Sequence, residues 1–388
     1  MFLTASRGSL PLCLLLAAAG LTSAAVAAQV GQHRSASLAG ATTAESSAHI
    51  VPLNLAYRPG DARRYGARID GRTDDTSAFN DSLRQAAEPG GADPLWPTGT
   101  AMVARLIISA PVHVRTAGYA TVLQQKPGLG ADKPVVEVAA SDVELDPFSV
   151  AGNIGSDPGE FNHALKIGGA ATIHGIIVHG IRGRDIRGDV LYLGGTRLHP
   201  LTHVRIGAIE GDNIYRSVVS ITGGQQIRID SIRGQRVGYR HLDVEPNPQA
   251  SQAPADIDVG AVVGADLQFV GDPDIPIGSV RVERASLDND RVANSDPPYP
   301  RYPGRNGFAA IVANISELHF GQLELRGFKG RSLHCPHTPR ASALYIEQLH
   351  VDGSEANASA AASVNAEGLR VLSIGGRLLA TGSLSRLP

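Results

Sequence analysis

Two carboxylates two positions apart are the strongest candidates for chemistry in this chain. Asp243 and Glu245 lie in the run Leu242–Asn247, where apolar and acidic residues alternate. In an extended strand, residues two positions apart project from the same face and are about 6.5–7 Å apart. Carboxyl groups at that separation match the acid and base of glycoside cleavage, and their proximity drives their pKa values apart. We therefore predict that Asp243 and Glu245 are catalytic and face solvent; the alternative is a solvated pair or a structural cation site.

Short repeated strands are the elements that must position this pair. Segments of alternating apolar and polar residues recur every 24 to 28 residues, and they begin at Ala164, Val190, Val218 and Leu242. A second series has members at 203–206, 226–229, 279–282, 317–320, 343–346 and 368–371. Each unit is too small to bury its own apolar face, so successive units must stack. This spacing, without intervening helices, predicts an all-β parallel β-helix solenoid.

The same alternation gives the four aligned segments an inward and an outward side. Leu165 and Ile167, together with their counterparts in the next three segments, are predicted to build the core. Successive turns of such a stack lie about 4.8 Å apart, so outward residues line up as a ladder along a groove that suits a polymer. The outward column consists of Lys166, Tyr192, Ser220 and Asp243.

The composition excludes several other classes of protein. The 44 Gly and 24 Pro residues interrupt helices too often for a long bundle or a coiled coil. The 35 basic and 37 acidic residues give a formal net charge of -2, so no overall field attracts nucleic acid or an anionic membrane surface. We therefore expect no nucleic-acid partner.

The N-terminal region has the pattern of an export signal. Arg7 precedes an apolar run from Leu10 to Leu21, and small residues at 25–28 resemble a signal peptidase site. The run is shorter than the roughly 20 residues of a membrane span, so we expect no membrane insertion after signal removal. The predicted organisation is a signal peptide at 1–28, a flexible leader at 29–49 and a single β-helix domain at 50–388. The protein is thus expected to be periplasmic or secreted.

Residues 50–110 are predicted to form an N-terminal cap region. A stacked sheet leaves an open edge at its first turn, which invites aggregation unless something covers it. Thr73–Asp75 supply helix-capping side chains, Phe79, Leu83 and Ala86/Ala87 share one helical face, and Pro89–Gly91 end the helix. This pattern predicts one amphipathic α-helix that caps the solenoid.

Residues 65–79, with the sequence YGARIDGRTDDTSAF, resemble the "FGA..DG.TDDT.AF" opening of the pectate-lyase-like superfamily. Residues 95–100 resemble the strand that follows the helix in that superfamily. The resemblance implies a right-handed parallel β-helix over about residues 50–380 and a polysaccharide-active protein. In these relatives the motif lies in the cap, so Asp70, Asp74 and Asp75 are expected to be turn and cap residues. The run Leu242–Asn247 also resembles a "D-I-E-P-N" segment of exopolysaccharide-associated β-helix proteins.

Substrate-binding candidates come from the outward column and from two insertions beyond it. Gln249–Pro254 and Asp288–Gly307 depart most from the repeat and are predicted to be groove walls. The second insertion concentrates Pro, Tyr and Arg; Tyr rings stack on sugar faces, and Arg pairs with carboxylates through two parallel hydrogen bonds. The predicted binding residues are Lys166, Tyr192, His241, Tyr299, Arg301, Tyr302, Arg305 and His334.

Cysteine and metal chemistry are not expected to contribute. Cys335 is the only cysteine outside the predicted signal peptide, which excludes an internal disulfide. Alternation places it inward, which favours a buried thiol over a zinc ligand beside His334 and His337. We predict no metal site and no cofactor. Aspartates of the second insertion leave Ca²⁺ as the alternative, without the spacing of an EF-hand loop.

These features together predict an exported enzyme that cleaves glycosidic bonds of an acidic polysaccharide. Two carboxylates favour hydrolysis, whereas nearby Lys, Arg and Tyr residues suit β-elimination from a uronate, so lyase and hydrolase chemistry both stay open. A uronate C5-epimerase would use similar groups. A non-catalytic module that binds an exopolysaccharide is the alternative from another class, because the motifs of polygalacturonases and classical pectate lyases are absent. The sequence sets no oligomeric state.

Overall fold

Parallel strands stacked turn upon turn form the body of the protein. The computed structural model describes residues 40–155, 159–248, 250–289, 308–328, 332–351, 354–355, 364–365 and 367–381. Within these ranges, almost all pairs of strands are parallel and join one turn to the next. The antiparallel strand pairs lie near the C-terminus: β23 (Ser342–Val351) with β24 (Ser354–Glu355), and β26 (Leu369–Ile374) with β27 (Arg377–Thr381). The chain is therefore an all-β parallel β-helix, as the repeats predict.

Two sheets contain all the named strands. The short-strand sheet consists of β4 (Leu106–Ile108), β7 (Val136–Val138), β10 (Leu165–Ile167), β12 (Leu191–Gly194), β14 (Val219–Gly223), β16 (Leu242–Val244), β18 (Leu267–Val270), β20 (Ala310–Ala313), β22 (Leu333–His334) and β25 (Val364–Asn365). The long-strand sheet consists of β1 (Asp70–Asp74), β2 (Leu95–Trp96), β3 (Gly99–Val103), β5 (His113–Thr116), β6 (Thr121–Gln125), β8 (Glu144–Leu145), β9 (Phe148–Ala151), β11 (Ile173–Ile186), β13 (Leu201–Ile214), β15 (Gln225–Val237), β17 (Ala255–Gly264), β19 (Ile277–Asp288), β21 (Ile315–Arg326), β23 (Ser342–Val351), β24 (Ser354–Glu355), β26 (Leu369–Ile374) and β27 (Arg377–Thr381).

The long strands bend in the middle and so present two faces each. In β11, inward and outward residues alternate up to the exposed His179, after which Gly180 and Ile181 are both buried and the alternation restarts. Near the end of the same strands, Asp185, Asn213 and Arg236 adopt positive φ angles of 50 to 58°. Asp and Asn tolerate this left-handed conformation better than most residues, because their short polar side chains bond locally. Each full turn therefore has three faces: one short strand and two halves of a long strand.

The core lies where the alternation predicts it. Leu165, Leu191, Val219 and Leu242 are register partners on successive turns, and all four side chains are fully buried. Burying one such side chain stabilises the fold by about 1.5–3 kcal/mol, and a mismatch of one residue would turn every polar neighbour inward. The register is therefore fixed by the apolar positions, and it also fixes the outward column.

The N-terminal cap contains the predicted helix. The helix α2 (Thr76–Ala86) follows its N-cap residue Asp75, and it buries Phe79 and Leu83. The side chain of Asp74, not that of Asp75, accepts a hydrogen bond from the Thr76 N–H, at 3.1 Å. Phe79 packs against Trp96, whose ring centroid lies 5.8 Å away. The structure differs at Ala87, which is exposed at the end of the helix instead of lying on the buried face. Two 3₁₀ helices, Ala62–Tyr65 and Gly118–Ala120, complete the cap and the second turn.

A second, shorter helix corrects the predicted leader. Residues 29–39 lie outside the described residues, but α1 (Thr43–Ser47) is folded, with a capping box between Thr42 and Glu45. The Glu45 carboxylate is fully buried and accepts hydrogen bonds from Arg64 at 2.5 Å and from the Tyr65 hydroxyl at 3.0 Å. A buried ion pair between distant segments has no signal in local composition, so the sequence analysis assigned these residues to the leader.

Replacing Glu45 by Gln is expected to destabilise the cap by about 3–5 kcal/mol at pH 7, because the buried Arg64 guanidinium loses its counter-charge. Burial raises the pKa of Glu45, but hydrogen bonds from Arg64, Thr42 and Tyr65 outweigh it and hold the pKa at about 2, below the ordinary 4.5. The contribution of the Glu45 carboxylate is thus complete above about pH 4.5 and is lost as the pH falls toward 2.

Urea unfolding and hydrogen exchange of amides 43–65 measure this loss. The double variant Glu45→Gln/Arg64→Met is the matched control, and we expect it to regain part of the stability because no charge stays buried alone. A Glu45→Gln protein with the wild-type unfolding curve at pH 7 would show that the ion pair does not hold the cap.

Candidate active site

The outward column of the short-strand sheet carries the polar residues that the sequence analysis singled out. The register of β7, β10, β12, β14, β16, β18, β20 and β22 aligns one outward residue per turn. In chain order these residues are Glu137, Lys166, Tyr192, Ser220, Asp243, Gln268, Ile311 and His334. Asp243 therefore lies on the predicted face, at the middle of the column.

Asp243 is buried, which corrects the prediction that it faces solvent. Its neighbours Leu242 and Val244 point into the core, so Asp243 projects from the opposite side of β16, yet only 3% of it is exposed. Its Oδ1 atom is buried, and no hydrogen-bond partner for it lies among the described residues. The positive charges of Arg216 and Arg240 and the negative charge of Asp189 all act on it. Side chains from the neighbouring corners cover this face, which the alternation pattern does not reveal.

These corner residues come from the connections that lead from each long strand to the next short strand. Asp189 precedes β12, Arg216 precedes β14, and Arg240 precedes β16. Arg240 is buried and pairs with Asp266 at 2.8 Å. The Arg216 Nη1 atom lies 3.7 Å from the Asp189 carboxylate. Because the turns stack, three successive corners bring their charges to one edge of the outward column.

Asp189 organises the first of these corners around Tyr192. The Asp189 Oδ1 atom accepts a hydrogen bond from the Ser217 N–H at 2.9 Å, and the Asp189 N–H donates to His163 Nδ1 at 3.0 Å. The His163 ring stacks on the Tyr192 ring, with centroids 4.6 Å apart. The Tyr192 hydroxyl accepts a hydrogen bond from Thr222 at 2.8 Å. Tyr192 is thus held rigidly beside the charged corner, and burial raises its pKa.

Glu245 belongs to a second network on the other side of Asp243. Glu245 is an exposed residue, and its Oε2 atom accepts a hydrogen bond from the buried Gln268 amide at 2.9 Å. The Gln268 Oε1 atom accepts hydrogen bonds from the Tyr239 hydroxyl at 3.1 Å and from Arg240 Nε at 3.3 Å. Glu245 therefore meets solvent while its carboxylate is tied to a buried amide.

The two carboxyl groups titrate as a coupled pair. Burial raises the pKa of Asp243 well above 3.8, and the charges of Glu245 and Asp189 raise it further. Burial also raises the pKa of Glu245, but Arg216, Arg240 and the Gln268 hydrogen bond oppose that rise. Because the negative charge of Glu245 is among the causes that raise the pKa of Asp243, Glu245 loses its proton first as the pH rises. A buried carboxyl group that holds its proton more strongly thus lies beside an accessible one that ionises more readily.

His241 does not reach the groove, contrary to the prediction. Only 3% of it is exposed, and its ring occupies the space that Cβ atoms would fill at Gly234 and Gly264. Val190 and Val218 take the same position in the two preceding turns, where they pack over Gly183 and Gly211. His241 therefore replaces a core valine, and its polar ring is accommodated by Asp266, 3.3 Å away.

Lys166 and His334 lie on the predicted column but far from Asp243. Each is three turns away, about 14 Å at 4.8 Å per turn. Lys166 Nζ lies 3.5 Å from Glu137, and the His334 ring stacks on Phe308 with centroids 4.5 Å apart. Tyr192 is only two turns from Asp243. Among the predicted binding residues that the structure describes, Tyr192 lies on the outward column beside the charged corner of Asp189, and His241 contacts the Arg240–Asp266 pair from the core side.

The first insertion forms a wall beside Tyr192. The Gln252 N–H donates to the Gly195 carbonyl at 3.0 Å, and the Arg197 N–H donates to the Ala250 carbonyl at 3.0 Å. The segment after β16 thus folds back over two turns to the corner after β12. Four predicted binding residues, Tyr299, Arg301, Tyr302 and Arg305, lie outside the described residues; their connection leaves β19 at Asp288 and enters β20 at Ala310.

The sequence analysis missed the corner residues Asp189, Arg216, Tyr239 and Arg240, and also Gln268. One signal was present: each short strand is preceded by a polar residue two positions before its first inward residue. These residues are His163, Asp189, Ser217 and Arg240. Cys335 is fully buried as predicted, and burial raises the pKa of its thiol to about 12.

Other faces of the described chain also offer grooves, but their carboxylates, such as Asp256 and Asp258, are exposed, so none pairs a buried carboxyl group with an accessible one. Three shallow grooves of about 440, 520 and 470 Å³ run along the outer faces of the long strands, beside residues such as Arg182, Arg205 and Arg228. Within the described ranges, no group of three or more His, Cys, Asp or Glu side chains is arranged to hold a metal ion. The carboxyl pair of β16 is therefore the best candidate for catalysis.

Asp243→Asn is expected to stabilise the fold at pH 7 by about 1 kcal/mol or more, since each unit of a raised pKa corresponds to about 1.4 kcal/mol. Below pH 3.8 the carboxyl is protonated in both the folded and the unfolded state, so the gain vanishes there; it grows as the unfolded chain ionises. Thermal unfolding between pH 3 and pH 8 measures it, with the exposed Asp132→Asn as control. A variant less stable than wild type throughout would disprove the raised pKa.

Comparison with known proteins identifies no family. No protein-family model and no curated protein matches the chain. Among solved structures, the A-module of the mannuronan C-5 epimerase AlgE4 from Azotobacter vinelandii is similar, with a TM-score of 0.43 and 10% sequence identity over 76% of this chain and 96% of that chain. At this level of similarity, nothing about activity is carried over to the present chain.

Proposed function

We propose that this protein is an enzyme that acts on an acidic polysaccharide, with Glu245 as the base and Asp243 as the proton donor. The observation that carries the proposal is their placement: an accessible carboxylate and a buried acid share one outward strand face, beside Arg216 and Arg240. Paired carboxyl groups with separated pKa values are the usual acid and base of glycosidic chemistry. The stacked turns also supply a linear surface on which a polymer can lie.

Hydrolysis and β-elimination both require a protonated carboxyl group at the leaving oxygen, which Asp243 would supply. The neighbouring Arg216 and Arg240 favour β-elimination, because negative charge develops on a sugar carboxylate only in that route. In β-elimination, Glu245 would take the proton next to the sugar carboxylate, and the leaving oxygen would receive a proton from Asp243. Arg216 would stabilise the charge that develops on the sugar carboxylate, because a nearby guanidinium favours an anionic intermediate. If a proton were instead returned to the same carbon from the opposite side of the sugar ring, the product would be the C5 epimer.

A non-catalytic polysaccharide-binding module is the second candidate. The burial of Asp243 favours it, because a group that is 3% exposed meets a substrate only if the covering side chains shift. The grooves on the long-strand faces would then hold the polymer without chemistry. This candidate predicts binding that does not depend on Asp243 or Glu245.

The deciding experiment incubates the full chain with acidic and neutral polysaccharides. Ultraviolet absorbance of an unsaturated uronate indicates elimination, reducing ends without it indicate hydrolysis, and solvent deuterium at C5 indicates epimerisation. Asp243→Asn and Glu245→Gln are each expected to lower the rate at least about a hundredfold, in the range of general acid–base catalysis. Asp132→Asn is the matched control and should keep the wild-type rate. Retained binding without product would establish the module, and wild-type rates in both site variants would refute the assignment of Asp243 and Glu245.

We also propose that the protein is exported, from the N-terminal pattern around Leu10–Leu21; residues 1–39 lie outside the described ranges. No helix in the described part of the chain is long and apolar enough to span a membrane. N-terminal sequencing of protein recovered from the periplasm or the medium should begin near Ala28 or Gln29. Recovery of the uncleaved chain from the cytoplasm alone would contradict export.

A further inference from the structure

The buried amide of Gln268 connects the exposed base to the interior of the protein. Gln268 is the register partner of Asp243 on the next turn, and 5% of it is exposed. It makes three hydrogen bonds, one to Glu245 and two to corner residues. A side chain this constrained holds its partners in one geometry, because any rotation would leave buried polar atoms unpaired.

The orientation of this amide is fixed by chemistry. Arg240 Nε is always protonated and only donates, so the amide atom 3.3 Å away must be the oxygen. The Tyr239 hydroxyl, 3.1 Å from the same oxygen, donates as well. The NH₂ group must then face Glu245, whose Oε2 atom lies 2.9 Å away. If the amide were flipped, its NH₂ group would face the Arg240 N–H, and two donors would lie opposite each other.

The hydrogen bonds that hold Gln268 in place continue into the core through Arg240. Arg240 Nη1 bonds to Asp266 Oδ2 at 2.8 Å, and Asp266 Oδ1 lies 3.3 Å from His241 Nδ1. Arg240, Asp266 and His241 are each at most 3% exposed. The series of hydrogen bonds from His241 to Gln268 is therefore rigid, and it ends at the solvent-exposed carboxylate of Glu245.

We propose that Gln268 is the positioning residue of this site: its amide, locked by Tyr239 and Arg240, aims the Glu245 carboxylate. The inference rests on the proposed role of Glu245 as the base. One oxygen of Glu245 is held by Gln268, which leaves the other oxygen to take the substrate proton. A neutral donor to the charged form favours ionisation, so the amide also opposes the effect of burial on this carboxylate.

Two substitutions at position 268 and one at position 239 separate the functions of the amide. Gln268→Met keeps the volume but removes the donor and the acceptor; Gln268→Glu keeps the acceptor for Arg240 and Tyr239 but replaces the donor by a second acid. We expect the pKa of Glu245 to rise in the order wild type, Met, Glu, because a lost donor and then a like charge each disfavour ionisation. Tyr239→Phe loosens the amide without touching Glu245 and should give a smaller rise. Gln348→Leu, on the exposed face of β23, is the control.

The readout is carbon-13 NMR of glutamate carboxyls in the full chain, with the Glu245 signal assigned by its loss in Glu245→Gln. The charged groups that face Glu245 are Asp243, Arg216 and Arg240, with Tyr239 beside them, and all are unchanged in the position-268 variants. With an active polymer, kcat should fall about 10–100-fold, as for removal of a supporting hydrogen bond, while KM stays near wild type. The acidic limb of the kcat profile should move up with the pKa of Glu245.

An unchanged Glu245 pKa in both Gln268→Met and Tyr239→Phe would overturn the positioning role. If the Met protein does not fold, the Tyr239→Phe titration decides by itself. The NMR titration needs no substrate, so failure of the proposed function is distinguishable: Glu245 would shift as expected while no polymer is turned over. A fall in kcat without a pKa shift would also count against Gln268, because it would show that the residue acts only through general stability.

Discussion

The parallel register of the apolar strands is the constraint on which the rest of this structure depends. Leu165, Leu191, Val219 and Leu242 stack on successive turns with no exposed surface. Each contributes about 1.5–3 kcal/mol by burial, and a one-residue slip would reverse inside and outside. The same register that buries these residues forces Ser220, Asp243 and Gln268 into one outward line. The packing of the core therefore fixes the position of Asp243, because this residue lies on a strand whose register the core determines.

Desolvation makes this outward line of residues a candidate catalytic site. On an exposed strand, Asp243 and Glu245 would both be ionised at neutral pH. Asp243 is buried among the charges of Asp189, Arg216 and Arg240 while Glu245 stays accessible, so desolvation raises the pKa of Asp243 well above its ordinary value. The buried charges of the corners are themselves paired, Arg240 with Asp266 and Arg216 with Asp189, which limits the cost of holding them out of water.

The sequence predicted what depends on periodicity. The β-helix, its core positions, the capping helix α2, the buried Cys335 and the outward line all follow from alternation and from cap residues. It did not predict what depends on contacts between turns. The burial of Asp243, the interior position of His241 and the Glu45–Arg64 pair depend on contacts with other turns and corners, for which local composition carries no signal. His241 shows most clearly what alternation does not predict. It has a polar side chain, yet it occupies the place of a core valine because glycines at 234 and 264 leave room for its ring.

The protonation state of Asp243 at neutral pH decides whether this site holds a proton donor. Infrared difference spectroscopy between the wild type and Asp243→Asn reports whether this one side chain is a carboxylic acid or a carboxylate. We expect the wild type to show the carbonyl band of a protonated acid at pH 7 and the variant to lack it. A carboxylate band lost in the variant instead would show that Asp243 is ionised, and the outward line would then hold two charges and no proton donor.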